Sequence, residues 1–274
     1  MVLAVAVATA AAGQSDPVRP PNGEWVRSVT AETARIWAVG DADPPRSRRV
    51  ARLIRRADPD RILYLGDVYP TGTLDDFRRW ADPWRRLVRR MAPTPGNHEW
   101  ASSSQGYEQF WRQVTGEAPP TYYSFDAGGW EILSANGEHS ETGAIVDWLR
   151  KKASAGGNCR LAFWHRPAYT AGPASVVKRS RRYWDALRGG TRMVLSGHEH
   201  NLQRLRPRRG IVQFISGASG RPDYDVDERD RHLAFGDDDH LGALRLRLKP
   251  GRAKWRFVSA RGRVLDSGSL RCRA

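Results

Sequence analysis

Five short polar segments, each directly after an apolar run, constrain this 274-residue chain more than any other feature. The apolar runs are Ala34 to Val39, Ile62 to Leu65, Met91 to Pro95, Leu161 to Trp164 and Met193 to Leu195. The polar segments that follow them are Gly40-Asp41-Ala42-Asp43, Gly66-Asp67, Gly96-Asn97-His98-Glu99, His165 and Gly197-His198-Glu199-His200. Short apolar runs of this kind predict buried strands. A strand that ends in polar side chains delivers them to the carboxyl edge of a sheet, where α/β folds place their sites.

Histidine is concentrated in these segments, which hold four of the seven: His98, His165, His198 and His200. Imidazole and carboxylate together suit Zn, Fe and Mn. Asp67 is the natural shared ligand, because a carboxylate can bridge two cations, and Asn97 offers a neutral carbonyl oxygen. Two such metals about 3.5–4 Å apart polarise a phosphoryl oxygen and supply a hydroxide at neutral pH. The segments therefore predict a two-metal phosphoesterase site.

Single motifs carry less weight than the set. Gly66-Asp67 alone is typical of a turn. His198 and His200 alone are compatible with a solvated loop, although alternation places both on one face, as ligation of neighbouring metals requires. Glu99 and Glu199 are interpreted as supporting or capping residues rather than ligands.

In this order the segments resemble the calcineurin-like metallophosphoesterase superfamily, whose motifs run Asp-x-His, Gly-Asp, Gly-Asn-His-(Asp/Glu), His and Gly-His-x-His. The resemblance spans about Trp37 to Asn201. Its bacterial, purple-acid-phosphatase-like branch is indicated by Pro93 to Glu99, Tyr122 to Asp126, Phe163 to Pro167 and the tail Asp266 to Cys272.

The resemblance implies a role for each matching residue. Metal 1 would be bound by Asp41, Asp67 and His200, and metal 2 by Asp67, Asn97, His165 and His198. His98 would be the catalytic acid or phosphate-stabilising histidine. Substrate contacts would come from Asn97, His98 and Arg166. The implied cofactors are two divalent or trivalent ions, Fe, Mn or Zn, with the pair left open.

Two positions depart from the superfamily pattern. Asp43 stands where many members have His, so it is a further candidate metal ligand, and one that would favour Fe or Mn over Zn. Gly66-Asp67-Val68-Tyr69 is one residue short of the Gly-Asp-x-x-Tyr that supplies a tyrosinate to ferric iron in purple enzymes. This spacing predicts that Tyr69 is not a ligand and that the protein is not purple.

The rest of the pattern predicts the fold. Helices are expected at Ser47 to Ala57, Leu74 to Arg90 with an interruption at Pro83, Thr142 to Ala153 and Ala174 to Leu187. A mostly antiparallel β ending is expected from Ile211 to Ile215, Leu241 to Leu248, Lys254 to Val258 and Arg263 to Asp266. The mixture suits an α/β (α+β) protein with the two-sheet β-sandwich flanked by helices of the superfamily, as a single domain over residues 31–274.

The N-terminus indicates export. Val2 to Ala12 is apolar and ends in an Ala-x-Ala site, as the latter part of a secretory signal does, so a secreted or cell-envelope protein is predicted. No basic residue precedes it, and a truncated or misassigned start of a cytoplasmic protein is the alternative. Residues 13–30 are then a linker or an edge segment. No other segment is long and apolar enough for a membrane span.

The net charge of +15 attracts anionic substrates and is also compatible with nucleic acid. The excess is nearly all arginine, which also fits a GC-rich coding bias, and no nucleic-acid-binding motif accompanies it. A small phosphorylated substrate is therefore favoured over nucleic acid as the partner, and the oligomeric state stays open.

Two further features leave alternatives open. Cys159 and Cys272 are the only cysteines and form either one disulfide or two separate buried thiols. Gly217 to His240 is long, polar and rich in acid. It is either a lid or substrate-selecting loop or a solvated excursion.

Three function classes follow. The first is hydrolysis of phosphate esters, with phosphomonoesters foremost, by in-line attack of a metal-bound hydroxide. The second is a phosphodiesterase or nuclease, which the charge favours and the purple-enzyme-like segments do not. The third is a non-catalytic phosphate-binding protein, against which the complete set of ligands argues.

Overall fold

A computed structural model describes residues 25–100, 104–140, 142–221 and 224–273 of the chain. The predicted signal segment and the linker up to residue 24 lie outside these residues. The elements are β1 Ala34–Val39, α1 Arg48–Ala57, β2 Arg61–Tyr64, α2 Leu74–Trp84, β3 Met91–Pro93, α3 Asn97–Trp100, α4 Gln105–Thr115, β4 Tyr122–Ala127, β5 Trp130–Ala135, α5 Thr142–Ser154, β6 Arg160–Phe163, α6 Lys178–Ala186, β7 Met193–Ser196, β8 Leu202–Leu205, β9 Val212–Ser216, β10 Leu233–Asp237, β11 Gly242–Lys249, β12 Arg252–Ser259 and β13 Val264–Arg271.

The strands form two mixed sheets, which confirms the predicted sandwich flanked by helices. One sheet has the order β13-β12-β11-β1-β2-β3, and the other has the order β10-β8-β9-β7-β6-β5-β4. In the first sheet β1, β2 and β3 are parallel, while β11 runs antiparallel to β1. In the second sheet β5, β6, β7 and β9 are parallel. The parallel strands of each sheet carry the predicted polar segments at their carboxyl ends.

Three apolar layers hold the sandwich together. Side chains such as Ile36, Leu161 and Phe214 fill the space between the two sheets. The outer face of the first sheet packs on α1, α2 and α4 through tryptophans that include Trp80. The outer face of the second sheet packs on α5 and α6 through tryptophans that include Trp184. Because the central strands are covered on both faces, they read as continuous apolar runs in the sequence.

The second predicted helix is interrupted where the sequence predicts, at Pro83. It begins with a capping box between Thr73 and Asp76 and ends at Trp84, directly after Pro83. Proline lacks an N–H and its ring clashes with the preceding turn, so the helix does not continue to Arg90. The chain forms instead a separate 3-10 turn at Val88–Arg90. None of the described helices is long and apolar enough to cross a bilayer.

The polar stretch after β9 is not wholly a loop. Its strand β10 pairs antiparallel with β8 at the edge of the second sheet. The ring of Phe235 lies 5.4 Å from that of Phe257 between ring centroids, which anchors the strand to the first sheet. Sequence reasoning missed β10 because its three apolar residues lie between two charged segments, and pairing with β8 supplies the stability that the local sequence lacks.

The two cysteines form a disulfide, with 5.0 Å between their Cα atoms. Cys159 directly precedes β6 in the second sheet, and Cys272 directly follows β13 at the edge of the first. Of the two alternatives that the sequence leaves open, the structure therefore shows the disulfide, and it joins the two sheets.

Candidate metal centre

The predicted ligands converge from both sheets. Asp41, Asp67 and Asn97 follow the parallel neighbours β1, β2 and β3 of the first sheet. His165 follows β6, and His198 and His200 follow its parallel neighbour β7 in the second sheet. The carboxyl ends of these strands meet at one end of the sandwich. All six residues that the sequence predicts as ligands are brought together there.

Asp67 lies at the centre of the group. Its Oδ2 atom is 3.3 Å from the hydroxyl of Tyr69 and 3.3 Å from Nε2 of His165. Its Oδ1 atom accepts a hydrogen bond from the backbone N–H of His98 at 3.1 Å. Asp67 thus contacts His165 of the second predicted set and the Tyr69 hydroxyl on its other side, and a bridging ligand requires such a position between the two sets.

The predicted ligands of metal 1, here called the first set, lie around the Tyr69 hydroxyl. This oxygen lies 3.1 Å from Oδ1 of Asp41 and 2.8 Å from Nε2 of His200. His200 Nε2 is itself 3.6 Å from Asp41 Oδ1. Asp41 is completely buried, and His200 is 6% exposed. The predicted ligands of metal 1 are therefore in mutual contact, together with a phenol.

The position of Tyr69 corrects the sequence-based prediction. The missing residue between Asp67 and Tyr69 predicted a phenol out of register, yet its hydroxyl lies among Asp41, Asp67 and His200. Asp67 adopts a left-handed backbone conformation, with φ of 68°, and the Tyr64 hydroxyl donates to its carbonyl oxygen at 2.8 Å. This turn brings the side chain two residues later back to Asp67. Motif spacing is a poor guide in such a loop.

The predicted ligands of metal 2, here called the second set, lie around one of their members, His165. Its Nε2 atom is 3.2 Å from Oδ1 of Asn97 and 3.2 Å from Nδ1 of His198. Potential ligand atoms of Asp67, His165 and His198 all lie within 4.8 Å of one another. His165 Nδ1 is 2.8 Å from the carbonyl oxygen of Leu65, so this nitrogen donates and Nε2 faces the group. Such a bond fixes both the tautomer and the ring orientation of a ligand histidine.

The electrostatics of the group fit bound cations. Asp41 and Asp67 are 0% and 1% exposed, and no Lys or Arg of the described chain pairs with either carboxylate. Burial raises the pKa of Asp41 well above its usual range. Burial opposes the charge of Asp67 too, but His165 holds the pKa of that carboxyl well below its usual range. Two buried carboxylates with imidazoles but no Lys or Arg beside them are stabilised by further positive charge, which metal ions would supply.

The imidazoles differ in their protonation. Burial works against a charge on His165, but the Asp67 carboxylate raises its pKa to about 10. Burial, together with the cations of His165 and Arg166, lowers the pKa of His198 to about 2. His198 is therefore neutral and offers a lone pair, as metal ligation requires.

Two glycines, which have no side chain, leave space for the carboxylates of Asp41 and Asp67. A Cβ atom on Gly96 would overlap the side chain of Asp67, and one on Gly197 would lie 2.6 Å from Oδ2 of Asp41. The backbone N–H of Gly96 also donates to Oε2 of Glu99 at 3.0 Å, as does the backbone N–H of Asp67. Glu99 is fully buried, and burial followed by the nearby Asp67 raises its pKa to about 8. Glu99 thus braces the loop that carries Asp67.

His98 lies at the mouth of the group. Its Nε2 atom is 3.8 Å from Oδ2 of Asp67, and its ring packs against Tyr69 with 4.4 Å between centroids. Its Nδ1 atom donates to the carbonyl oxygen of Pro70 at 2.5 Å. The side chain is 35% exposed, unlike the buried ligand candidates. A partly exposed imidazole beside the group is placed as a proton donor must be.

Arg166 connects the second set to an acid that sequence reasoning missed. Its Nη1 atom donates to Nε2 of His198 at 3.0 Å, and its Nε atom donates to Oε1 of Glu138 at 3.1 Å. Glu138 follows β5 in the segment Asn136-Gly137-Glu138, which resembles the other polar segments in its position after a buried strand. That signal was available in the sequence.

Asp43, the further candidate ligand, contacts Arg221 beside the group. Its Oδ2 atom forms an ion pair with Nε of Arg221 at 3.3 Å, and the Arg221 guanidinium lies 4.3 Å from the ring centroid of Tyr69. Asp43 sits two residues beyond Asp41 on an irregular loop, so alternation does not carry its side chain to the same point. These three residues line a cleft of about 570 Å³ beside the group.

The stretch after β9 reaches the group as well. The ring of Tyr224 stacks on that of His200, with 4.0 Å between centroids and an angle of 17°. The side chain of Asn201 donates to the Tyr224 carbonyl oxygen at 2.9 Å. This part of the predicted lid or excursion therefore forms a wall of the centre, which favours the first of the two interpretations.

Comparison with known proteins identifies the class. The family model of calcineurin-like phosphoesterases matches residues 34–202. The chain belongs to this family, as the resemblance of its motifs implied. The matched residues contain Asp41, Asp67, Asn97, His165, His198 and His200.

Individual relatives narrow the comparison. Over 136 residues the chain is 29% identical to mouse tartrate-resistant acid phosphatase type 5, an alignment that covers 46% of this chain and 41% of the mouse protein. A purple acid phosphatase from yellow lupin (Lupinus luteus) seeds shares the fold with a TM-score of 0.71 and 17% identity, over 87% of this chain and 54% of the lupin chain. This chain thus spans about half the length of these relatives.

A third protein shows that the fold alone does not define a role. GAP50, the anchor in the inner membrane complex of Plasmodium, has a TM-score of 0.67 and 14% identity to this chain, over 88% of this chain and 90% of its own. At this level of identity the likeness concerns the fold. The function therefore has to be argued from the side chains of the centre.

Proposed function

We propose that this chain hydrolyses phosphate esters, with phosphomonoesters foremost, at a centre that holds two metal ions. One observation carries the proposal: the buried Asp67 contacts His165 of the second set directly, and it shares the Tyr69 hydroxyl with Asp41 and His200 of the first set. Carboxylate, phenol, amide and imidazole donors suit Fe, Mn or Zn. Cations bound there polarise the phosphoryl group and make hydroxide available at neutral pH.

His98 is the proposed proton donor to the leaving oxygen. Its hydrogen bond to Pro70 places the proton on Nδ1 and directs Nε2 towards Asp67 and the mouth of the centre. A second proton on Nε2 is then available to the departing alcohol. This role needs no metal contact, which agrees with the partial exposure of the ring.

Arg166 is the proposed contact for the phosphate oxygens. In the structure it donates to Nε2 of His198, which requires the lone pair of that nitrogen. If His198 held a cation through Nδ1, its proton would lie on Nε2 and that nitrogen would no longer accept from Arg166. The guanidinium, held by Glu138, would then be available to an oxyanion.

The proposal is tested by release of nitrophenol from mono- and bis-(nitrophenyl) phosphate, alongside nicking of a plasmid. We expect turnover of the monoester to exceed that of the diester, and no nicking. Faster diester turnover with nicking would establish the alternative, a phosphodiesterase or nuclease. No turnover of any substrate by protein with two bound metals would indicate a non-catalytic role like that of an anchor.

Export remains part of the proposal. The disulfide between Cys159 and Cys272 supports it, because such bonds persist in oxidising compartments. Expression with residues 1–12 fused to a reporter measures the export directly, and retention of the reporter in the cytoplasm would contradict it.

A further inference from the structure

A set of cations covers part of the first sheet away from the metal centre. On β11, β12 and β13 the side chains of Arg245, Arg247, Lys249, Arg252, Lys254, Arg256 and Arg271 alternate with inward residues such as Leu246, Ala253 and Leu270. We call these seven residues the basic face. All are exposed except Arg245, which is partly exposed.

The strand register places these cations directly opposite one another. The pairs are Arg245 with Arg256, Arg247 with Lys254, Lys249 with Arg252, and Arg252 with Arg271, while Arg35 on β1 stands opposite Arg247. Directly opposed residues have Cβ atoms about 4.5–5.5 Å apart, and like charges in such pairs destabilise a sheet. The repulsion is visible at Arg245, whose pKa is lowered by burial and then by Arg256, Arg247 and Arg35.

No described acid balances this charge. Elsewhere the arginines of the chain pair with carboxylates, as Arg35 does with Asp60 at 2.9 Å and Arg204 with Asp266 at 2.7 Å. No described carboxylate forms an ion pair with any residue of the basic face. Four of its members, Arg247, Lys249, Arg252 and Lys254, surround a depression of about 220 Å³. The sheet thus presents rows of cations without an acidic partner among the described residues.

The basic face is separate from the metal centre. Arg245 is the member of the face nearest the carboxyl end of β1, and it pairs with Trp37, four residues before Asp41. Four residues of extended strand span roughly 13 Å. The face also points outward from the first sheet, beyond the part that α1, α2 and α4 cover. The charges therefore contribute no contact to a phosphate at the centre.

We propose that the basic face binds the sugar-phosphate backbone of nucleic acid, without sequence preference. Arginine predominates in it, and the planar guanidinium binds phosphate oxygens in pairs. Opposed cations that repel one another in the free protein are stabilised when phosphates lie between them. Peripheral docking on an anionic bilayer normally requires a second, hydrophobic signal besides the charge. The single large hydrophobic residue exposed in the described chain is Val264, which pairs with Val258 at the end of β12 away from the depression and forms no apolar patch.

The test uses fluorescence anisotropy of a short labelled DNA duplex with the full, metal-loaded chain, between about 50 and 200 mM salt. Six phosphate contacts predict a slope of log K against log salt of about −5. The variant R247Q/K254Q should make this slope shallower by about 2, because each phosphate contact contributes about 0.9 to it. The matched control R85Q/R86Q removes the same charge at exposed positions elsewhere and should leave affinity and slope close to those of the parent.

Other outcomes would overturn the inference. Equal losses in R247Q/K254Q and in the control would mean that only net charge matters. Loss of duplex binding in the metal-centre variant Asp67→Asn would place the DNA at the centre instead. Binding to vesicles that contain phosphatidylserine, with no binding to the duplex, would assign the face to a membrane. Hydrolysis of nitrophenyl phosphate by R247Q/K254Q should equal that of the parent, which shows that the variant folds.

Discussion

At the scale of single residues, the number of metals that a variant binds distinguishes a metal ligand from a proton donor. Asn97→Ala removes an amide oxygen that lies 3.2 Å from Nε2 of His165, so we expect loss of one metal and of turnover. His98→Ala removes a partly exposed ring outside both sets, so both metals should remain while the rate falls by roughly 10²–10⁴-fold. Elemental analysis and nitrophenyl phosphate hydrolysis measure the two effects. Metal loss in His98→Ala would show that the ring is a ligand.

Tyr69 provides a spectroscopic test. Its hydroxyl lies within 3.3 Å of Asp41, Asp67 and His200, so a ferric ion held by these residues would also bind the phenolate. We therefore expect the iron-loaded protein to be coloured by charge transfer, contrary to the expectation from motif spacing. Tyr69→Phe, which keeps the ring, should lose the colour and retain the fold. A colourless iron-loaded parent would return Tyr69 to a purely structural role.

Variants of Asp43 and Arg221 test whether Arg221 contributes to substrate binding beside the centre. Arg221, held by Asp43, lies against the Tyr69 ring in the cleft beside the centre, where we expect it to bind a phosphate oxygen. Arg221→Gln should therefore raise KM about 10-fold or more and leave kcat nearly unchanged, because a hydrogen bond to a charged group contributes about 1.5–3 kcal/mol. Asp43→Asn, which only loosens the arginine, should raise KM less. Both variants should keep two metals. Loss of metal 1 in Asp43→Asn would restore the original prediction that Asp43 is a ligand.

At the scale of elements, the sequence predicted best what packing and periodicity both dictate. The buried strand β1 has the predicted bounds, and α1 differs by one residue from the predicted helix. Apolar runs covered on two faces leave few alternatives. Edge strands such as β10, which depend on a partner, were missed. The six ligand candidates were found because each follows a buried strand.

What the sequence did not predict lies on irregular backbone. Tyr69 and Arg221 approach the centre, and Asp43 pairs with Arg221 beside it, through turns whose direction no residue spacing encodes. Asp41, Asp67 and His198 all have positive φ, with values of 55°, 68° and 70°. Such conformations are uncommon for residues other than glycine and persist where the surroundings determine them. They occur here at three ligand candidates, where the backbone conformation positions the side chain in the site.

The loop from β3 to α3 gives an element-scale prediction. Gly96→Ala places a methyl group against the Asp67 carboxylate, so the loops that carry Asp67 and Asn97 must move apart. Because a displacement of about 1 Å can cost 10²-fold in rate, we expect at least that loss, together with weaker metal binding. Gly143→Ala is the control: nothing lies within 4 Å of its added Cβ, and it sits in α5. Equal activity of the two variants would show that the loop tolerates the shift.

At the scale of the whole molecule, the disulfide closes the sandwich at the end opposite the metal centre. Cys159 precedes β6, whereas His165 follows its carboxyl end, and the bond spans 113 residues of sequence. Constraint of so long a loop corresponds to about 4.7 kcal/mol in the chain-entropy model, and measured losses are typically about 2–5 kcal/mol. The double variant C159S/C272S should therefore unfold at lower denaturant concentration, by a free energy in that range. Its turnover in the folded state should match the parent, because no group of the centre is touched.

Two measurements make this prediction decisive. Reduction of the parent protein should lower its free energy of unfolding to that of C159S/C272S, because both treatments remove the same cross-link. Thiol titration of unfolded protein should then find no free thiol in chain recovered from an oxidising compartment and two in chain made in a reducing one. Equal stability of oxidised parent and double variant would mean that the bond constrains nothing in the unfolded chain. Two titratable thiols in exported protein would mean that it does not form.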